Sequence, residues 1–562
     1  MGAQYWTFDA MWQALTTWQT RYPDLISVEV IGQSRQGRDM PCAVLSNRQT
    51  GAPADKAAVL VDANIHAGEV AGNSAAMYWI DWCLSQYGSN PEATELLDRH
   101  TVYVIPRLAV DGAELYLTTP CRVRSSPHLY PYSVPPDGFV EEDVDQNGHI
   151  LSMRMAAEDG AFAVDELNPH VMRPRRPGEN GRTYYHVFVE GRIERAAASG
   201  SLPAFARADR ARRNDMDFNR NFPIRWAGEE GQRGAGPYPL SEPELRNLAN
   251  FVHEHANIAA YAALHTSGGV ILRQPSTGED TVLSVRDREL FTRVAEMGAE
   301  ASGYAADSNY HIFASGHEEV LMPGAADDWA YDHFGILGFT VEIWNLPRHA
   351  GAQGYADLGM RRVMQRSPRY VLEDQRKIYS WVAREVPTDG IFEWTPFDHP
   401  DFGRVEIGGL NPKFVIQNPP EHYLEEECAH VSAFLTRLGL STPRLVLTHA
   451  SARHEGASIF RIVVEVANAG YLPTSSTQKG AKVLLEGLCA EVSGDLNMLS
   501  GSSPTAVGHL EGYGGQGVQG PPHRQRTTIE WVVKAKPGTT VQVSVGGGRA
   551  GRLRHSLTLE VD

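Results

Sequence analysis

The stretch VLVDANIHAGEVAG, from Val59 to Gly72, decides how the chain is read. Its front half lies in AAVLVDANI (57–65), a continuous apolar run of the length expected for a strand buried on both faces. Its back half leads into AGNSAAMYWIDWCLSQYG, which predicts a helix. A buried strand passing directly into a helix is one step of an α/β sheet. At the junction stand His66 and Glu69, three residues apart. The spacing alone identifies nothing. His422 and Glu425 repeat it in EHYLEEEC, an acidic, helix-like stretch that reads as a solvated face.

The same texture extends outward. Ile26–Ile31 and Pro41–Leu45 read as two strands joined by the turn-rich GQSRQGRD, and HTVYVIPRL reads as another. LRNLANFVHEHA, NIAAYAALHT and GILGFTVEIWN continue the alternation, so the fold class is α/β, with a sheet covered by helices. From about residue 120 to 215, Pro, Gly, Arg and Asp dominate without a long periodic run, which predicts a large loop insertion. After about Thr442, short alternating stretches such as SIFRIVVEVANAG and TTIEWVVKAKPG are split by Gly, Pro and Ser. They predict a small all-β sandwich. The expected division is therefore 1–440 for a catalytic α/β domain and 441–562 for an accessory β-sandwich.

Composition narrows the function. At 562 residues, 42% hydrophobic and 21% charged, the chain is globular and long enough for more than one domain. A formal charge of −17 argues against a nucleic-acid partner or an anionic membrane surface, and no apolar run is long enough to span a bilayer. Cys42, Cys83, Cys121, Cys428 and Cys489 are scattered and odd in number, which suggests reduced thiols. The first residues show neither a basic segment nor an apolar one of the signal type, so a cytoplasmic location is the default expectation. A mature exported form would look the same. Nothing in the sequence bears on oligomeric state.

Open α/β sheets place ligands at the C-terminal ends of their strands, where His66 and Glu69 lie. A third metal ligand should come from the end of another strand, and YAALHTSGG supplies His265. Glu342 in GFTVEIW is a carboxylate set in apolar sequence, which is costly without a reason. A metal-bound water beside it is one reason; a paired core glutamate is the alternative. In DMDFNRNFP (215–223), Asn219 and Arg220 offer an amide and a guanidinium fork suited to a carboxylate. A loop cap with a surface arginine is the plainer reading. Asp217 is placed to accept from the outer nitrogen of a metal-bound histidine.

HAGE, PRLAVDGAE (106–114), DFNRNFP, LHTSGG and DDWAYDHFGILGFTVEIW (327–344) together resemble the zinc metallocarboxypeptidases in order and spacing, over roughly residues 5–390. The resemblance implies a mixed eight-stranded sheet between helices, one zinc ion, and removal of C-terminal residues from peptides with a free C-terminus. It implies that His66, Glu69 and His265 hold the zinc, that Glu342 is the general base, and that Asn219 and Arg220 bind the terminal carboxylate. Arg154 in SMRM takes the place of the arginine that polarises the scissile carbonyl.

The sequence departs from that pattern in places. The family's substrate-capping tyrosine falls on Val320, with Tyr310 a substitute from nearby, and Ser267 stands where many relatives have another tyrosine. Asp327 aligns with the base of the specificity pocket, where an acid favours terminal Lys or Arg; an Asp satisfied by loop amides is the alternative. DVDQNGHI copies the first half of an EF-hand loop through Asp143, Asp145, Asn147 and Gly148, but its twelfth position is Arg154 rather than glutamate. It is either a calcium loop that aims Arg154 at the site or an Asp/Asn/Gly turn. Other readings on the same fold are an N-acyl amino-acid hydrolase, a muropeptide hydrolase, or a non-catalytic binding protein.

Overall fold

The computed structural model describes residues 2–131, 138–194, 214–314, 321–484, 487–515 and 524–561. Val320 lies outside them. Eight strands form the central sheet: β1 (Ile26–Gln33), β2 (Asp39–Leu45), β3 (Ala58–Ala63), β4 (Thr101–Ile105), β5 (Ile258–Thr266), β6 (Val270–Arg273), β7 (Ala305–Ser308) and β8 (Leu337–Ile343). Their spatial order is β1-β2-β4-β3-β5-β8-β6-β7. β4, β3, β5 and β8 run parallel; β1 and β2 pair antiparallel to their neighbours, and β6 is antiparallel to β8 but parallel to β7. The sheet is mixed, as the motifs imply.

Every residue of β3 and of β5 is buried, because each strand feeds two cores. Val59, Val61, Ala262 and Leu264 face one core with the helices Val70–Gln86 and Glu421–Leu440. Leu60, Tyr261 and Ala263 face the other, against the helices Pro243–Glu254 and Ala326–Phe334. Alternation along one strand thus divides a continuous apolar run between two layers. Gly72 lets the helix after β3 lie directly on β5, since a Cβ there would sit 2.8 Å from the Leu264 carbonyl oxygen. That contact brings the helix start, with Glu69, beside the end of β5.

The stretch predicted as loop, about 120–215, contains structure that its sequence conceals. Ser152–Ala156, Phe162–Val164, Met172–Pro174 and Tyr185–Val189 join Ile391–His399 and Gly403–Leu410 in a six-stranded antiparallel sheet. Strands of three to five residues show no readable period, and the strand that joins them to the rest of the sheet, Ser152–Ala156, pairs some 250 residues downstream with Gly403–Leu410.

Beyond Leu445 two four-stranded antiparallel sheets enclose a core of Phe460, Ile462, Trp531, Val533, Val541 and Val543. The five cysteines are free thiols. Among the described residues no helix is long and apolar enough to cross a membrane. His422 and Glu425 are exposed on the helix Glu421–Leu440.

Candidate active site

His66, Glu69 and His265 converge at the C-terminal ends of β3 and β5. The Glu69 carboxylate stands between the two imidazoles, with Oε1 2.8 Å from His66 Nδ1 and Oε2 2.9 Å from His265 Nδ1. The ligand atoms of the three residues lie within 4.8 Å of one another, and all three side chains are buried. Burial alone would push the Glu69 carboxyl up. The two histidines outweigh it and hold the group well below the usual carboxylate range. The outer nitrogen of His66, Nε2, meets Asp217 Oδ1 at 3.0 Å, the partner expected for a metal-binding imidazole. Two nitrogens and one carboxylate, all buried with their inner atoms facing one point, are a donor set that suits zinc.

Glu342 is the strand neighbour of His265 across the β5/β8 pair. In the metal-free chain, burial and the nearby Glu69 push its carboxyl up to about 7, against the opposing pull of His265. It lines a cavity of about 200 Å³ together with His66, Glu69 and His265, and Asn219, Arg220 and Asp327 line the same cavity. Asn219 Oδ1 accepts the Ala326 N–H at 2.8 Å, so the amide's donor end is the part of the group left for a ligand. Arg220 donates through Nη1 to the neighbouring Asn219 carbonyl. Asp327 is buried, accepting from Asn309 Nδ2 at 2.8 Å and from the Asp328 N–H at 3.0 Å, and burial pushes its carboxyl up.

Arg154 is not in this site. It sits on the strand Ser152–Ala156 of the second sheet, 8% exposed, bonded to Glu406 at 2.8 Å. Its guanidinium lies between the rings of Tyr185 and Trp394. The expectation failed because counting back from DFNRN crossed the insertion. Besides Arg220, the arginine in the cavity is Arg124, at the start of the predicted insertion. Its Nε donates to Asp217 Oδ2 at 2.9 Å and its Nη1 approaches Glu69 Oε1 at 3.4 Å. RVRSSP around it carries no signal a sequence reading could use.

Tyr310 does not line the cavity; its N–H bonds the Pro275 carbonyl at 3.0 Å. The tyrosine that does is Tyr355, whose hydroxyl donates to the Ser267 carbonyl. It comes from the short helix Tyr355–Leu358, a segment without motif character.

Asp143, Asp145 and Asn147 form a turn outside the cavity. Asp143 accepts the N–H groups of Asn147 and Gly148 at 3.0 and 2.9 Å, and Asn147 Oδ1 accepts that of His149 at 2.8 Å. The buried Glu190 joins the two aspartates, taking the Val144 and Leu151 N–H groups. Backbone donors thus serve these carboxylates, and the loop does not aim Arg154 at His66, Glu69 and His265.

The family model described as zinc carboxypeptidase matches residues 11–147 and 191–355, together more than half of the chain. The chain belongs to the zinc carboxypeptidase family. Residues 444–558 match a second model, described as a domain of unknown function. Carboxypeptidase B2 of Rattus norvegicus is 31% identical over 142 residues, covering 24% of this chain and 33% of that protein. Its Bos taurus counterpart is 22% identical over 361 residues, covering 63% and 64%. The chain spans 33% of the length of the first three curated relatives it matches. Among solved structures, that of thrombin activatable fibrinolysis inhibitor is similar at a TM-score of 0.40 and 19% identity, covering 68% of this chain and 75% of that one.

Proposed function

We infer that this member of the family is a zinc-dependent carboxypeptidase that hydrolyses the last peptide bond of peptides and prefers a basic terminal residue. One observation carries the reading: a buried carboxylate held between two imidazole nitrogens, with a second carboxylate, Glu342, on the adjoining strand. Zinc held by His66, Glu69 and His265 would supply Lewis acidity and lower the pKa of a water molecule.

The chain's own groups do the rest. Glu342, half-buried beside that position, accepts the water's proton and returns it to the departing amine. Arg124, with Nη1 3.4 Å from Glu69, directs a fixed positive charge at the scissile carbonyl, where negative charge develops. Arg220 and the donor end of Asn219 bind the terminal carboxylate, which sets the register so that only the last bond is presented. Tyr355, anchored on the Ser267 carbonyl, and Phe313 wall the terminal side chain. Asp327 and Asp328 are two buried acids, and an ammonium or guanidinium from the substrate would supply the countercharge that burial withholds. In this reading residues 1–440 carry the catalysis and 441–562 support them.

A panel of peptides differing in the last residue, each as free acid and as amide, tests this with and without a zinc chelator. Release of terminal Lys or Arg from the acids is expected, abolished by chelation and restored by zinc. Equal cleavage of the amides, or turnover confined to N-acyl amino acids, would defeat it.

A further inference from the structure

The two zinc histidines are not equally supported. His66 has its outer nitrogen on Asp217. The outer nitrogen of His265, Nε2, is buried and has no hydrogen-bond partner among the described residues. A metal-binding imidazole needs an acceptor there to fix its tautomer and its ring. A second buried atom has the complementary deficit: Asp62 Oδ1, on a residue with 0% exposure. Its other oxygen, Oδ2, takes the Tyr261 hydroxyl.

Register places the two together. Asp62 is paired with Ala263 in the parallel β3/β5 ladder, so its side chain shares a face with Tyr261 and His265, two residues to either side of Ala263. The charges of His265 and then His66 bear on Asp62. Asp327 is the competing carboxylate near His265, but both its oxygens are engaged, by Asn309 and by the Asp328 N–H.

We propose that Asp62 is the positioning carboxylate of His265, receiving its Nε2–H across one bridging water and serving the second histidine as Asp217 serves the first. Tyr261 holds Asp62 in place for this role. A buried site bounded by a carboxylate oxygen and an imidazole N–H gives a water polar partners. The inference rests on the zinc reading of His66, Glu69 and His265.

The experiment uses the full chain. Wild type, D62N and Y261F are loaded with zinc, and zinc affinity is measured by chelator competition at fixed pH. D62N keeps the shape and an acceptor for Tyr261 but no longer offers His265 a charge. Its affinity for zinc is expected to fall ~10–100-fold, with Y261F losing less. A second readout needs no variant. In zinc-loaded wild type with nitrogen-15 histidine, two solvent-protected Nε2–H protons are expected, from His66 and His265. Wild type that binds no stoichiometric zinc would overturn the zinc reading itself. Wild type that binds one zinc with the His265 proton unprotected, or D62N that binds zinc as tightly as wild type, would overturn the role of Asp62 alone.

Discussion

At the C-terminal ends of β3 and β5, polar atoms are buried and left without partners among the described residues: Asn64 Oδ1, His265 Nε2 and Thr266 Oγ1. The residues just past β3 and β8, Asn64 and Trp344, hold positive φ angles of 58° and 69°, a conformation that costs a residue with a side chain. At the opposite ends of the same strands the chain is sealed. Ser476 donates to the Ala259 carbonyl at 2.5 Å and accepts the Leu337 N–H at 3.2 Å. Thr477 donates to the Gly335 carbonyl at 2.7 Å, and Arg549 to those of Ala256 and Phe334. These residues come from the C-terminal unit, and Ser476 and Thr477 are wholly buried. One edge of the sheet holds unmet polar groups where a ligand can use them, while the other is secured by a separate part of the chain. The difference suggests that the C-terminal unit supports the sheet from the side away from the chemistry.

Substitutions at the two edges should therefore separate activity from stability. The largest effect belongs to Glu342→Gln, for which kcat should drop ~100-fold or more at unchanged zinc content. Arg124→Gln should follow at ~100-fold, while Arg154→Met should leave turnover intact. Steady-state kinetics with metal analysis decides both; an active Glu342→Gln enzyme would remove the general base from the mechanism. At the sealed edge, Arg549→Met should cost about 2 kcal/mol of unfolding free energy by loss of its hydrogen bonds to buried carbonyls, with kcat/KM unchanged. Denaturant titration measures this, and an activity loss in the folded variant would mean that the edges are coupled.

A further, pH-dependent effect concerns the junction. His100 is buried, and its ring meets Thr442 Oγ1 at 2.7 Å where the C-terminal unit begins. Burial, with help from the charges of Arg444, Lys56 and Arg99, pushes its pKa down from an ordinary 6.5 to about 3. Folded protein thus keeps the ring neutral while unfolded protein takes up a proton below 6.5. The associated stability is complete above that pH and is lost as pH falls toward 3, at up to ~1.4 kcal/mol per pH unit. Urea midpoints at several pH values should show this slope in wild type and a shallower one in His100→Gln.

His66, Glu69, His265, Glu342, Asn219, Arg220 and Asp327 were visible in the sequence because each sits in a short motif at the end of a strand or at the start of a helix. Asp217 was visible through its spacing from Asn219. Arg124 and Tyr355 were not, since each lies in irregular sequence and enters the cavity only because distant segments fold around it. Arg154 was misplaced for the complementary reason: its residue type and its position relative to DFNRN fit, but the strand carrying it belongs to another sheet. The six-stranded sheet escaped notice because strands of three to five residues have no period, and one pairing, that of Ser152–Ala156 with Gly403–Leu410, joins its two segments across some 250 residues.

By itself the sequence determined the α/β alternation and the side chains that meet, His66, Glu69 and His265. These depend on local periodicity and on residue types at fixed short spacings, which the chain carries in its order. Tertiary structure alone decided which arginine and which tyrosine reach the cavity, that Asp62 and His265 share a face, and that the C-terminal unit grips the far edge of the sheet. Those outcomes come from packing between segments hundreds of residues apart, where burial and hydrogen-bond partners are set by the whole fold and not by the neighbours in sequence.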